Sequence, residues 1–253
     1  MTFVVSFIWV PYDTSKVDPA SSWAPVSAQH WLGADKLGRD IFSLMILGSR
    51  VTVYISLGAA VIALVLGVII SAAIVYSRYS IAVIIERLTD VWIAFPTLVI
   101  AIIIVTAFGG STVSSMVAIG LGSTPVVART ILPELRRAAS ADYTLLSVAS
   151  GAKLPWLLWW HIFPTITPTL IVRVTQIMGT AALAEAGLSY LGLGTPISTP
   201  SWGRMLSEYQ QYIYTHPGVL LIPGIAIVAV IIGFNLLGDG LRDVLDPRLE
   251  GVR

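Results

Sequence analysis

Few residues in this chain are placed for bond-making chemistry. His30, His161 and His216 are far apart, and no His-Glu-x-x-His pair sets two imidazoles on one helix face for zinc. Cysteine is absent, which removes disulfides, thiolate metal sites and a cysteine nucleophile. There is no Gly-x-Ser-x-Gly elbow, and Lys16, Lys36 and Lys153 fit no glycine-rich phosphate loop. The chain cannot hydrolyse ATP by a P-loop of its own, and neither a catalytic nor a metal residue is assigned. What remains is a set of charges beside apolar runs. Such charges are costly in hydrocarbon, at about 2.5–3.5 kcal/mol on insertion scales, so they point to pairing, boundaries or a path.

The elements that hold them follow from composition. Of 253 residues, 56% are hydrophobic and 11% charged, against about 25% charged in a soluble domain. Residues 91–128 carry no charge, about twice what a helix needs to cross a hydrocarbon core of roughly 30 Å. The run must cross, turn at Gly109-Gly110-Ser111-Thr112 and cross back. With a net charge of +1, nothing points to nucleic acid as partner.

Five full crossings are expected, at about 51–77, 81–108, 113–132, 168–188 and 218–238. Glu86 and Asp90, four apart, share a face of the second. Pro96 lies within it and favours a kink, which serves as a hinge or only for packing. The third carries Ser114, Ser115, Ser123 and Thr124, too many hydroxyls for lipid, and so lines a helix interface or a path. The fourth carries Arg173, Gln176 and Glu185, its two charges near opposite ends. Residues 1–10 give only about 15 Å of helix. They read as the outer end of an incomplete first span, truncated or begun upstream, or as an interfacial segment. Counting Arg78, Arg136, Arg137, Lys153, Arg242, Arg248 and Arg253 inside against Lys16, Lys36, Arg39 and Arg204 outside places the C-terminus in the cytoplasm. The organisation is thus residues 1–10, an external segment 11–48 and a membrane core 49–253, with an inner loop at 133–167 and an inner tail at 239–253.

That inner loop reads as two short helices. Asp142 is placed as N-cap of the first, over 143–150, and Gly151 as its C′ residue. Pro155 suits the start of the second, which runs through Trp156, Trp159 and Trp160 along the headgroup zone and ends at Pro164. His161, alone among tryptophans, is read as structural.

A short helix, a glycine and then His161-Ile162-Phe163-Pro164 resembles the EAA loop of permease subunits of bacterial ATP-driven (ABC) importers. Aligned on Gly151, the Glu-Ala-Ala positions are Leu145, Leu146 and Ser147, so the acidic residue is missing. His30-Trp31-Leu32-Gly33-Ala34-Asp35-Lys36-Leu37-Gly38-Arg39-Asp40 is similar to the HxLGTDxxGRD segment of peptide and nickel permeases, with Ala34 in place of Thr. Ala184-Glu185-Ala186-Gly187-Leu188-Ser189-Tyr190-Leu191-Gly192-Leu193-Gly194, then Pro200-Ser201-Trp202-Gly203, resembles the outer end of their fifth helix. Asn235-Leu236-Leu237-Gly238-Asp239-Gly240-Leu241-Arg242-Asp243, then Leu245-Asp246-Pro247-Arg248, looks like their C-terminal signature. The four blocks resemble the C-type subunit of dipeptide or oligopeptide permeases.

The resemblance implies an all-α type I importer permease of the bacterial cytoplasmic (inner) membrane, with no cofactor on this chain and ATP and magnesium on partners. It implies a second homologous permease, two ABC ATPases, an extracytoplasmic substrate-binding protein and surrounding lipid. The loop at 142–164 (Asp142, Tyr143, Leu145, Leu146, Ser147, Gly151, Lys153, Pro155, Pro164) would dock an ATPase. Gly33, Asp35, Gly38, Arg39 and Asp40 would form an external lid, as a structural cap or in contact with substrate. Pro96, Ser115, Ser123, Thr124, Gln176 and Glu185 are pathway or gate candidates, Glu185 being otherwise an acid at a helix interface. The rival classes are a self-contained secondary transporter or channel, and an intramembrane enzyme.

Overall fold

The computed structural model describes residues 2–196 and 198–245, and these are almost entirely helical. After a short α1 (Thr2–Ile8), the lid segment leads to α2 (Ile41–Tyr76). At 36 residues α2 is about 54 Å long, well beyond one bilayer core. It begins ten residues earlier than its uncharged run because Asp40 caps it, accepting from the Ser43 amide at 2.8 Å and hydroxyl at 2.7 Å. Arg50 is carried inside the helix, its guanidinium on Ser6 of α1 and 4.6 Å over the Phe7 ring.

The expected single helix over 81–108 is instead two, α3 (Tyr79–Ile93) and α4 (Thr97–Phe108), bent by 87°. Pro96 lacks the N–H that would continue α3 and pushes Phe95 out of helical conformation, so its effect is a break rather than a kink. The Pro96 carbonyl then starts α4, accepting from Val99 and Ile100. With 12 residues, α4 reaches only about 18 Å. The outgoing arm of the 91–128 hairpin is therefore a crossing only as the bent pair. Among the described residues four helices are long and apolar enough to span, or five counting that pair.

Gly109, at φ +89°, turns the chain, and Ser111 with Ser114 forms a reciprocal capping box for α5 (Thr112–Ala139). This helix is central: 67% of its most apolar stretch is buried, against 11% for α10 (Pro217–Leu245). It packs closely on α2 through small residues. A Cβ on Gly67 would lie 2.6 Å from Val127, and one on Gly120 2.8 Å from Ile62. The Ser71 hydroxyl also donates to the Ala128 carbonyl at 2.9 Å.

Beyond α5 come α6 (Asp142–Ala149), α7 (Leu154–Leu157), a π-helical turn (Leu158–Ile162) and α8 (Phe163–Tyr190). The second short helix does not end at Pro164. That proline sits in the first turn of α8, where its fixed φ suits the helix, and the helical path runs on. Amphipathic α9 (Trp202–Tyr209) then packs against α8 and the start of α2, through Trp202 donating to the Met45 carbonyl at 2.9 Å. Three apolar clusters divide the bundle. One joins the C-terminal halves of α2 and α5 to the start of α8, a second lies mid-bundle, and the third joins the start of α2 to α9 and α10.

Candidate functional site

The candidate residues fall into groups separated along α2. At its N-terminal end the residues expected to form a lid converge. Asp35 is fully buried, and its carboxylate accepts from the Leu37 amide (2.8 Å), the Arg39 amide (2.9 Å) and the Arg39 guanidinium (2.7 Å). Arg39 thus pairs with Asp35, and at 3.4 Å with Glu208 of α9, rather than with its neighbour Asp40. Asp40 is taken up by the α2 cap and by His30 Nδ1 at 2.9 Å. Gly33 and Gly38 have φ +78° and +73°, and a Cβ on Gly38 would collide with the Asp18 carbonyl, so both are fixed by turn and close approach. Trp23 stacks on His216 at 4.0 Å and meets Tyr212 at 4.8 Å. Beneath the lid, burial pushes the Tyr209 phenol above its ordinary pKa, helped by the Asp35 charge. The five lid residues therefore act together as a tie between the segment, α2 and α9.

At the other end lies the loop at 133–167. Asp142 is the first residue of α6 and not its cap. Ala141 holds the cap position without a side-chain bond, and the buried Thr144 hydroxyl donates to the Ala138 carbonyl at 2.8 Å. The C-terminus follows its expected chemistry. Gly151 has φ +87°, its amide donates to Val148 and that of Ala152 donates to Ser147, a Schellman motif. Leu145, Leu146 and Val148 are exposed, an apolar face that water disfavours and a partner could cover, and Tyr143 is part-exposed on the other side of the helix. Lys153 is exposed and its carbonyl starts α7, of which Pro155 is the second residue. His161, read from sequence as merely structural, is held against α6 by Ser147 Oγ at 3.1 Å and flanked by Tyr143 and Trp156. No sequence spacing signals that pairing.

The pathway candidates are not gathered around one opening. Ser115 and Thr124 are fully buried and Ser123 nearly so, within the packing of α5. The Thr124 hydroxyl returns to its own helix at Gly120, while Ser115 Oγ has no partner. Gln176 accepts from Arg173 on the same helix at 2.7 Å. Glu185 of α8 is fully buried against α2, accepting from Thr52 at 3.1 Å and Ser189 at 2.8 Å. Pro96 sits at the α3–α4 break. Glu86 and Asp90 find partners that sequence could not pair. Arg129 reaches both, at 2.8 and 3.5 Å, and Arg136 reaches Glu86 at 2.9 Å. Asp239, Arg242 and Asp243 lie in the last turns of α10, whereas Asp246 and Arg248 fall outside the described residues. Among the described residues no group of three or more His, Asp or Glu is arranged to hold a metal.

Residues 63–251 match the family described as binding-protein-dependent transport system inner membrane component. The dipeptide transport system permease protein DppC of Alkalihalophilus pseudofirmus is 34% identical over 98% of this chain and 83% of its own length. The nickel transport system permease protein NikC of Escherichia coli is 35% identical over 95% and 87%. The glutathione transport system permease protein GsiD of Salmonella typhimurium is 36% identical over 89% and 74%. In fold, the chain is similar to a chain of the inward-facing MetNI methionine ABC transporter, at TM-score 0.67 and 14% identity over 80% of this chain and 96% of that one. That likeness is to a type I ABC importer permease. From the family match and from three relatives spanned over most of their length, the chain belongs to the binding-protein-dependent transport system inner membrane components, as a non-catalytic, multi-pass permease subunit.

Proposed function

We propose that this chain is the C-type permease of an ATP-driven importer of dipeptides or oligopeptides, and encloses the pathway with a second, similar permease. Two cytoplasmic ATPases, holding ATP and magnesium, dock on the 142–164 loop, and an external binding protein delivers substrate past the 11–48 segment. The C-terminus lies in the cytoplasm. The observation that carries this reading is the exposed face of Leu145, Leu146 and Val148 on α6, a helix held by its Gly151 cap and by Thr144 at the end of the bundle away from the 11–48 segment. The dipeptide, nickel and glutathione permeases among its relatives support a small, polar or chelating cargo, and the peptide permeases favour peptides. ATP closure of the ATPases would push on α6, and hydrolysis would reset the bundle. Proline substitution within residues 143–150 of the assembled transporter tests the docking role. It should abolish stimulation of ATP hydrolysis by the loaded binding protein, and a full response in the variant would refute the role.

A further inference from the structure

Tyr143 and Ser147 lie one turn apart on α6, and so do His161 and Thr165 across from them. Tyr143 Oη is 3.3 Å from Thr165 Oγ1, and Ser147 Oγ is 3.1 Å from His161 Nε2. These are two rungs between helical segments running in opposite directions. Their polarity can be assigned. The Thr165 hydroxyl donates to the His161 carbonyl at 2.7 Å, so it accepts from the tyrosine. The Ser147 hydroxyl donates to the Tyr143 carbonyl at 2.8 Å, so it accepts from His161 Nε2–H. The imidazole is further confined by the Tyr143 and Trp156 rings, at 5.6 and 5.0 Å between centroids.

The segment receiving these rungs is the weakest part of the helical path. His161 lies in the π-helical turn, where the Phe163 amide reaches back five residues to the Leu158 carbonyl. Just beyond it, Pro164 and Pro168 supply no amide hydrogen to the carbonyls four residues before them. A push on α6 is therefore not carried by a stiff backbone into α8; it must pass through side chains. The exposed face of α6 is separate from the face that carries Tyr143 Oη and Ser147 Oγ, so one helix has a surface for a partner and a surface for its own bundle.

The geometry points to His161 as the positioning residue that passes displacement of α6 into α8, through its Ser147 bond, with Tyr143–Thr165 as the second rung. This rests on α6 being the helix on which an ATPase docks. The test uses the complete transporter in proteoliposomes, carrying His161→Ala, Ser147→Ala or His161→Gln. It reads three quantities: ATPase retained on the permeases, hydrolysis stimulated by the loaded binding protein, and peptide transported per ATP hydrolysed. In His161→Ala and Ser147→Ala, transport per ATP hydrolysed by the complexes that keep their ATPases should fall about fivefold, the scale of one net hydrogen bond. His161→Gln, which restores an N–H donor, should recover most of the ratio. An unchanged ratio in Ser147→Ala, which removes one oxygen and leaves the fold intact, overturns the proposal. So does loss of ATPase retention in the alanine variants, which would make His161 a prop for the docking surface. Failure of the unmodified complex to retain its ATPases refutes the docking reading itself, and is seen before any variant is made.

Discussion

Replacing Asp35 by alanine should open the 11–48 segment, which we propose as an external lid. The side chain is fully buried and satisfies two backbone amides as well as the Arg39 guanidinium. Without it, Arg39 keeps only the longer 3.4 Å contact with Glu208 while its side chain is 21% exposed. Removing one partner of such a buried pair costs about 3–5 kcal/mol. At about 1.4 kcal/mol per tenfold, opening of the lid should become more frequent by roughly two to three and a half powers of ten. The chain contains no cysteine, so a single Ala34→Cys reporter, at a position 2% exposed within that segment, can be followed by its rate of maleimide labelling. If opening precedes labelling, the rate should rise about 100-fold or more with Asp35→Ala. Asp35→Asn, which keeps an acceptor for the two amides but loses the charge, should fall between. A rise of less than about tenfold would show that the lid is held by the Trp23–His216 stack and its glycine turns instead, and that the buried ion pair contributes little.

Two further outcomes are expected. Gly151→Ala should weaken α6 by about 1–2 kcal/mol, the cost of a left-handed residue with a Cβ; because nothing lies within 4 Å of that Cβ, Gly151→Asn should recover part of the lost transport, and equal loss in both variants would count against a purely conformational cost. Pro96→Ala should let α3 and α4 straighten, lengthening the distance between spin labels at exposed Ile84 and Ile103 from roughly 20 Å to roughly 28 Å at 1.5 Å per residue; an unchanged distance would mean that packing on α5, not the proline, sets the 87° bend.

Much of the architecture was legible because hydrocarbon imposes a length and a polarity on each crossing. The hairpin turn at Gly109, the Gly151 cap and the apolar cores of α2, α5 and α10 follow from local residues. The misreadings share one cause, which is that a residue's effect depends on where it falls in an element. On sequence Pro96 favours a kink, and in the fold it makes an 87° break. Pro164 looked like a stop because its place in the first turn of α8 depends on the π-helical turn before it. The crossing expected from residue 51 leaves Arg50 out, yet α2 includes it because α1 supplies Ser6 and Phe7 to receive it. The pairs that organise the candidate sites join residues remote in sequence: Glu86 with Arg129 and Arg136, Thr52 with Glu185, Ser147 with His161. A single sequence shows that Glu86 and Asp90 share a face, but not which cations that face will meet.

The unbroken length of α2 gives the bundle a lever. One end is rooted in the lid through the Asp40 cap, and Gly67 near the other presses on Val127 of α5. From Gly67 to Ile41 is about 39 Å at 1.5 Å per residue. A tilt of about 5° pivoting there would carry the lid root by roughly 3 Å, enough to lengthen or break bonds such as Arg39–Glu208. Motion too small to repack the α2–α5 contact would thus be magnified at the far surface, with no hinge in α2 itself.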